Sequence, residues 1–317
     1  VSITQAIIGT NLTISAGGGG GGGGSAADFT IEWWQKVENS STNARPWSVG
    51  LYPVQKLSLS YESLTSDYFW INDSYIMVTS QNHVGAGWRH IAYVRYNGVV
   101  RGYINGTQYT SDASDSNLIT ATNVPLYVGT GELAAGNYKG YITNLHIMKG
   151  FAKYTGNFTP ATSPLVSTTG SVFLMRTSSD GTKYADSAGG KVAIGVTGFP
   201  TWSSDSPFTA LGPYTQGTNQ SGSTPGGLYV ISFTGDNYNT DLLNVKAGWT
   251  VTDGVLSGTV IGDAVIGSPG YIDIPVDFNP IGIHTWTFTQ PGLGSVYFDG
   301  GAYLNYGASA DWAIDSP

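Results

Sequence analysis

Residues able to do chemistry are present in this sequence, but seldom in the groupings that catalysis requires. Cleaving a glycosidic bond takes two carboxylates about 5–9 Å apart across the bond. The nearest pairing is Asp273 and Asp277 in YIDIPVDF, positions that share a strand face and flank Pro275. Glu32 is an isolated acid, expected to be paired or to sit on the wet face of a strand. Acyl transfer lacks its Gly-x-Ser-x-Gly elbow. His83, His90, His146 and His284 are scattered without a His-Glu-x-x-His, and His90, in phase with Ala92 and Val94, reads as a hydrogen-bonded interior histidine. With no cysteine, thiolate zinc sites, thiol nucleophiles and disulfide scaffolds are all excluded.

What remains is recognition. Aromatic faces stack on sugar rings, and Tyr and Arg are enriched in binding hot spots. Tyr93, Arg95, Arg101, Tyr103 and Trp70 are the candidate ligand contacts, with Trp47, Tyr61 and Tyr68 in the same aromatic region. Arg–Tyr neighbours also stabilise a sheet by cation–π and cross-strand contact alone, so both readings stand at this point.

The elements that must carry these side chains are strands. Phe29–Val37 alternates and is rich in β-formers. Residues 88–96, 99–104 and 107–109 are separated by Asn97-Gly98 and Asn105-Gly106. Asn-Gly tolerates positive φ at both central positions of a type I′ turn, so the stretch predicts a three-stranded meander. Period-2 geometry is expected to place Ala92, Val94, Val100 and Ile104 on a packed face and Tyr93, Arg95, Arg101 and Tyr103 on a wet one. Further strands are predicted at 124–128, 139–148 and 171–175, and no window reads as a long amphipathic helix.

Composition agrees. Charged residues are 11% of the 317, well below the ~25% of an ordinary soluble domain, whereas Gly (45) and aromatics (9 Trp, 20 Tyr, 11 Phe) abound. That profile suits short strands and tight turns. A net charge of −8 argues against nucleic acid, whose affinity rests on cationic contacts to phosphate. No apolar run approaches the ~20 residues of a membrane helix. No signal peptide is visible, and a chain beginning at Val1 is expected to be processed or truncated. The run Gly17–Gly24 matches phosphate-loop spacing only because every position is Gly; an inter-strand loop is expected.

Four segments carry a family pattern: DFTIEWW (28–34), WRHIAYVRYNGVVRGYINGTQY (88–109), PLYVGTG (125–131) and YKGYITNLHIMKGFAKYTGNFTP (138–160). In this order they resemble the laminin G-like, concanavalin A-like domain, in the variety abundant in phage structural proteins. FLMRTSSDGTKYADSAGG…WSSDSPF (173–208) is similar to its closing segment. The resemblance implies an all-β fold with a jelly-roll sandwich over residues 1–210. Beyond it are expected a flexible linker at 211–227 and a small β domain at 228–290. Residues 291–317 resemble the segment that normally precedes FTIEWW, which predicts the start of a second laminin G-like repeat.

Laminin G-like domains often bind calcium at the sandwich rim, which makes Asp180 and Asp186, or Asp112 and Asp115, candidate oxygen ligands. Glucanases of this fold carry Glu-x-Asp-x-Glu on one strand, and no such triplet occurs here. The resemblance thus leads to a non-catalytic virion structural or adhesion protein: a tail-fibre, baseplate-associated or capsid-decorating component. Expected partners are other virion or filament subunits, as a homo-oligomer, and a host-surface glycan, without nucleic acid or membrane insertion; the expected location is the virion or the cell surface. The alternatives are a bacterial surface adhesin or extracellular filament subunit, and a glycan-active enzyme.

Overall fold

The computed structural model describes residues 28–120 (save 41, 42, 52 and 64), 124–130, 138–177, 185–189, 193, 195–198, 200–209, the strands between 211 and 289, 292–309 and 312. The glycine run, residues 1–15 and the 217–227 stretch lie outside them. Every element within them is a strand. No helix among the described residues is long and apolar enough to cross a membrane.

In chain order the strands are β1 (Phe29–Ser40), β2 (Ala44–Val49), β3 (Leu57–Ser63), β4 (Ser66–Ile71), β5 (Ser74–Thr79), β6 (Arg89–Tyr96), β7 (Val99–Ile104) and β8 (Thr107–Gln108). Then come β9 (Ala113–Ser114), β10 (Pro125–Val128), β11 (Tyr138–Lys149), β12 (Ser171–Met175), β13 (Gly195–Thr197) and β14 (Thr201–Ser203). β15 (Leu211–Gln216), β16 (Leu228–Tyr229), β17 (Thr250–Thr252), β18 (Ser257–Val260), β19 (Ile272–Asp273) and β20 (His284–Thr289) precede β21 (Ser295–Asp299) and β22 (Tyr303–Ala308).

Sheet A runs β14-β21-β11-β1-β6-β7-β8, with β12 on β11 and β9 on β7; sheet B runs β13-β22-β10-β2-β3-β4-β5. The two antiparallel sheets form the jelly-roll sandwich. Rings fill the space between them. Trp33 meets Trp47 edge-on at 5.7 Å, and Phe69 stacks on Tyr93 at 4.3 Å and 6°. Each such contact adds roughly 0.5–1.5 kcal/mol beyond area burial. The Asn-Gly turns form as expected: Asn97 and Gly98 have φ of 49° and 73°, and Asn105 and Gly106 have 48° and 78°.

The structure departs from the sequence-based expectation at three places. First, the meander's faces are sorted differently. A two-residue turn pairs Tyr96 with Val99 and Arg95 with Val100, so cross-strand neighbours have opposite parity. Ile91, Tyr93 and Arg95 therefore share the core face with Val100 and Ile104, while Ala92 and Val94 share the outer face with Arg101 and Tyr103. Second, Leu211–Gln216, expected within a linker, is a strand paired with β20. With β16–β20 it gives a third, six-stranded sheet in the order β15-β20-β17-β18-β19-β16; Tyr214 and Thr215 are good β-formers. Third, residues 295–308 do not open a second repeat. β21 pairs with β11 and β14, and β22 with β10 and β13, so both complete the first sandwich. Their inward side chains Val296, Phe298 and Leu304 are fully buried there.

Candidate binding face and the buried acid cluster

β4 alternates cleanly: Asp67, Phe69 and Ile71 are buried, while Ser66, Tyr68 and Trp70 turn outward and are half-buried. A bulge between Phe69 and Trp70 sets Trp70 opposite Tyr75 of the edge strand β5, so both rings fall on the outer face of sheet B. Tyr68 stacks beside Trp70 at 6.3 Å, and Tyr75 meets both edge-on at 5.4 and 5.5 Å. Tyr75 is 58% exposed and Val78, across from Tyr68, 48%. The Trp70 indole N–H donates to Ser60 Oγ (2.7 Å), whose hydroxyl donates to Glu62 Oε1 (2.7 Å). The result is an open aromatic platform tied through the buried Ser60 hydroxyl to one carboxylate at its side. It can stack on the C–H face of a ring and hydrogen-bond its hydroxyls. Bond cleavage would need a second carboxylate opposite Glu62; Asp67, on the same strand as Trp70, faces the core instead.

The outer face of sheet A is covered. Residues 151–160 lie on it, with Ala152, Tyr154 and Phe158 packed on Ala92, Val94 and Tyr103. Beneath them Glu32 is fully buried. Its Oε1 accepts from Lys153 Nζ (2.6 Å) and His146 Nδ1 (3.0 Å), and its Oε2 from the Tyr154 hydroxyl (2.7 Å) and His90 Nε2 (3.2 Å). Burial works to raise its pKa. Hydrogen bonds from His146 and His90 and the Lys153 charge outweigh that and hold the carboxyl well below its ordinary value. Burial and the adjacent carboxylate push the Tyr154 phenol up. The ionised carboxylate is a latch that fastens the covering segment to the sheet. Thr30 adds to it, donating to Phe151 O (2.9 Å) and accepting from Lys153 N (2.8 Å). Beside this segment an open, uncharged groove of about 380 Å³ is lined by Trp34, Asn105, Pro160, Thr162, Pro207 and Thr209.

The predicted site residues are not brought together. Tyr93 and Arg95 are fully buried in the sandwich, not wet. Arg95 donates to Asp115 Oδ2 (2.8 Å) and Asn117 O (3.0 Å) and lies 4.9 Å over the Phe29 ring. Tyr103 is buried under Phe158 at 5.5 Å. Arg101 remains partly exposed but is forked onto Asp112 at 2.9 and 2.6 Å. The Arg and Tyr neighbours thus stabilise the sheet, while Trp70 alone of the five sits on an accessible platform. Trp47 and Tyr61 are core residues. Asp186 is a buried turn-former whose carboxylate accepts from the backbone N–H groups of Leu174 (2.8 Å), Ala188 (2.9 Å) and Gly189 (2.9 Å). Asp180, and Asp277 of the acidic pair, lie outside the described residues. Among the described residues no group of three or more His, Asp or Glu is arranged to hold a metal ion. Sequence reasoning missed Tyr75 and the Glu32 partners. Strict alternation would have put Tyr75 on the core face with Met77, and only the bulge at Phe69/Trp70 turns it outward, whereas Lys153 and Tyr154 meet Glu32 across more than a hundred residues and leave no local signal.

Residues 17–151 match the family model described as the concanavalin A-like lectin/glucanases superfamily, of the laminin G type. The match covers less than half of the chain and spans β1 to β11, the central strands of both sheets. No curated protein matches the chain.

Proposed function

We propose that this concanavalin A-like sandwich is a non-catalytic binding module that holds a glycan on the outer face of sheet B, within a virion or other extracellular assembly. The observation that carries the reading is the exposed Tyr68–Trp70–Tyr75 platform over the Ser60 and Glu62 oxygens. A protein of this size gains nothing in stability from leaving Tyr75 and Val78 bare, and exposed aromatic clusters mark contact sites. Low charge and the absence of cysteine suit a virion tail-fibre, baseplate or decoration component built from such modules, and suit a bacterial adhesin or filament subunit equally. Glycan arrays probed with the full chain test the ligand. Trp70→Ala and Tyr75→Ala are each expected to weaken retention at least ~10-fold, the scale of a lost binding hot spot. Binding that survives both substitutions, or sugar release that depends on Glu62, overturns the reading. Copurification of the chain with intact particles separates the virion setting from the bacterial surface.

A further inference from the structure

The edges of the sandwich are of unequal kind. β8 and β9 are two residues long and β13 and β14 three, while β12 is backed by Ala185 and Ser187, which bond Arg176 N and Leu174 O. β5, the last strand of sheet B, runs for six residues, Ser74–Thr79. Folded proteins blunt a long edge with lysine, proline or a bulge that bends it away, because its free N–H and C=O groups pair readily with another strand. SYIMVT has no charge and no proline, and its bulge residue Ile76 packs on the core. Among the described residues β4 alone bonds the backbone of β5, and Tyr75 and Val78 stay exposed.

The strand fits its own copy. Turned about a two-fold axis normal to the sheet, β5 meets itself antiparallel. A register centred between Ile76 and Met77 then sets Tyr75 opposite Val78, Ile76 opposite Met77 and Ser74 opposite Thr79. Residues set opposite one another must share a face, yet in a regular strand Tyr75 and Val78, three apart, point to opposite faces. The bulge removes that conflict. Tyr75 lies across from Trp70 and Val78 across from Tyr68, both on the outer face, while Ile76 and Met77 both pack on the core. A charge on such an edge would stand near its own copy and be repelled, and β5 carries none.

We propose that β5 is the surface through which two copies of this chain pair, joining their two sheets B into one. Aromatic and β-branched side chains set opposite each other, as Tyr75 and Val78 would be, make a favourable cross-strand pair. The contact is isologous and closes at two copies. One strand per copy is a small interface beside the ~1,200–2,000 Å² of a stable complex. The pairing is therefore weak in dilute solution and grows where copies are held close. It sets the two Tyr68–Trp70–Tyr75 platforms side by side on one face, whatever they bind.

Sedimentation equilibrium of the full chain over a concentration series, without glycan, tests this. A reversible monomer–dimer equilibrium is expected. Val78→Lys, a charge placed on the exposed edge, should raise the dissociation constant at least ~10-fold while urea unfolding stays as in wild type. The chain has no cysteine, so the register can be trapped. A Ser74→Cys chain with one tag, oxidised with a Thr79→Cys chain bearing another, should give a doubly tagged disulfide dimer at least ~5-fold above a control. The control pairs Ser74→Cys with Thr201→Cys, an exposed position on β14. A chain that stays monomeric through the series, or a mixed yield no higher than the control, overturns the proposal. So does a dimer that Val78→Lys leaves intact, because it then forms through another surface.

Discussion

Replacing Glu32 by Gln keeps the shape of the side chain and removes the charge, which isolates the latch. Each carboxylate oxygen accepts from two side chains: Lys153 and His146 on one, Tyr154 and His90 on the other. With the amide oxygen kept toward Lys153 and His146, the NH₂ meets the Tyr154 hydroxyl and His90 Nε2, which must turn from donor to acceptor, and all four bonds lose the carboxylate's charge. Hydrogen bonds to a charged group are worth about 1.5–3 kcal/mol each, and breaking a buried ion pair from one side costs about 3–5 kcal/mol. Glu32→Gln is therefore expected to destabilise by about 3–5 kcal/mol in urea titration, and to expose residues 151–160 to limited proteolysis. A loss under about 1 kcal/mol would refute the latch. The pH profile gives a second reading. The folded carboxyl titrates well below its ordinary 4.5, so between the two values the unfolded chain binds more protons. The stability Glu32 contributes is complete above pH 4.5 and is lost as pH falls through the folded value. Glu32→Gln lacks that component, so its stability should fall less steeply on the acid side. Parallel acid limbs for wild type and variant would show that Glu32 is not the titrating group.

Further outcomes follow from other buried contacts. Arg95→Met leaves Asp115 buried without its guanidinium and is expected to cost about 3–5 kcal/mol, with much of the loss recovered in the Arg95→Met, Asp115→Leu double variant; a denaturation cycle measures both. Gly129→Ala drives a methyl into the Phe298 ring at a positive φ, so about 1–3 kcal/mol from overpacking plus ~1–2 from the left-handed backbone should be lost in thermal melts. Asp186→Ala removes an acceptor for three backbone amides and should lower the melting temperature by the same amount in calcium as in chelator, since those hydrogen bonds involve no ion.

How much of this was legible in the sequence depended on the range of the interaction. The Asn-Gly turns and the strands around them were readable because the φ requirement lies in two adjacent residues. Which face each side chain took was not, although the rule that decides it is simple: a two-residue turn reverses parity, so Tyr93 and Arg95 went inside. Arg95 looked wet because arginine is rarely buried unpaired, and its partner Asp115 is brought by β9, a strand of two residues. The β21–β22 segment resembles a piece of such a domain and was expected to open a second repeat, whereas it completes the first. Its alternation of Val296, Phe298, Leu304 and Tyr306 specifies a place in a sandwich, yet no residue of it says which sandwich.

The two outer faces of the sandwich explain why the open aromatic platform falls on sheet B. An antiparallel sheet can leave one face to water, and in this fold each sheet has such a face. On sheet A the outward-facing residues Ala92, Val94 and Tyr103 are apolar enough to need a cover, and the cover is held by a charge that costs several kcal/mol to bury unless every lone pair is used. Glu32 with four donors meets that condition. Among the described residues the outer face of sheet B carries no comparable buried charge: beside Trp70 lie the buried hydroxyls of Ser58 and Ser60, the first donating to Gln55 Oε1 (3.4 Å) and the second to Glu62 Oε1 (2.7 Å). The platform stays open because its floor is polar without being charged. Placing a buried acid there, by Ser58→Glu, should therefore weaken glycan retention by desolvation and repulsion from Glu62 while leaving the sheet A latch intact, a difference that retention and proteolysis measured on one sample would separate.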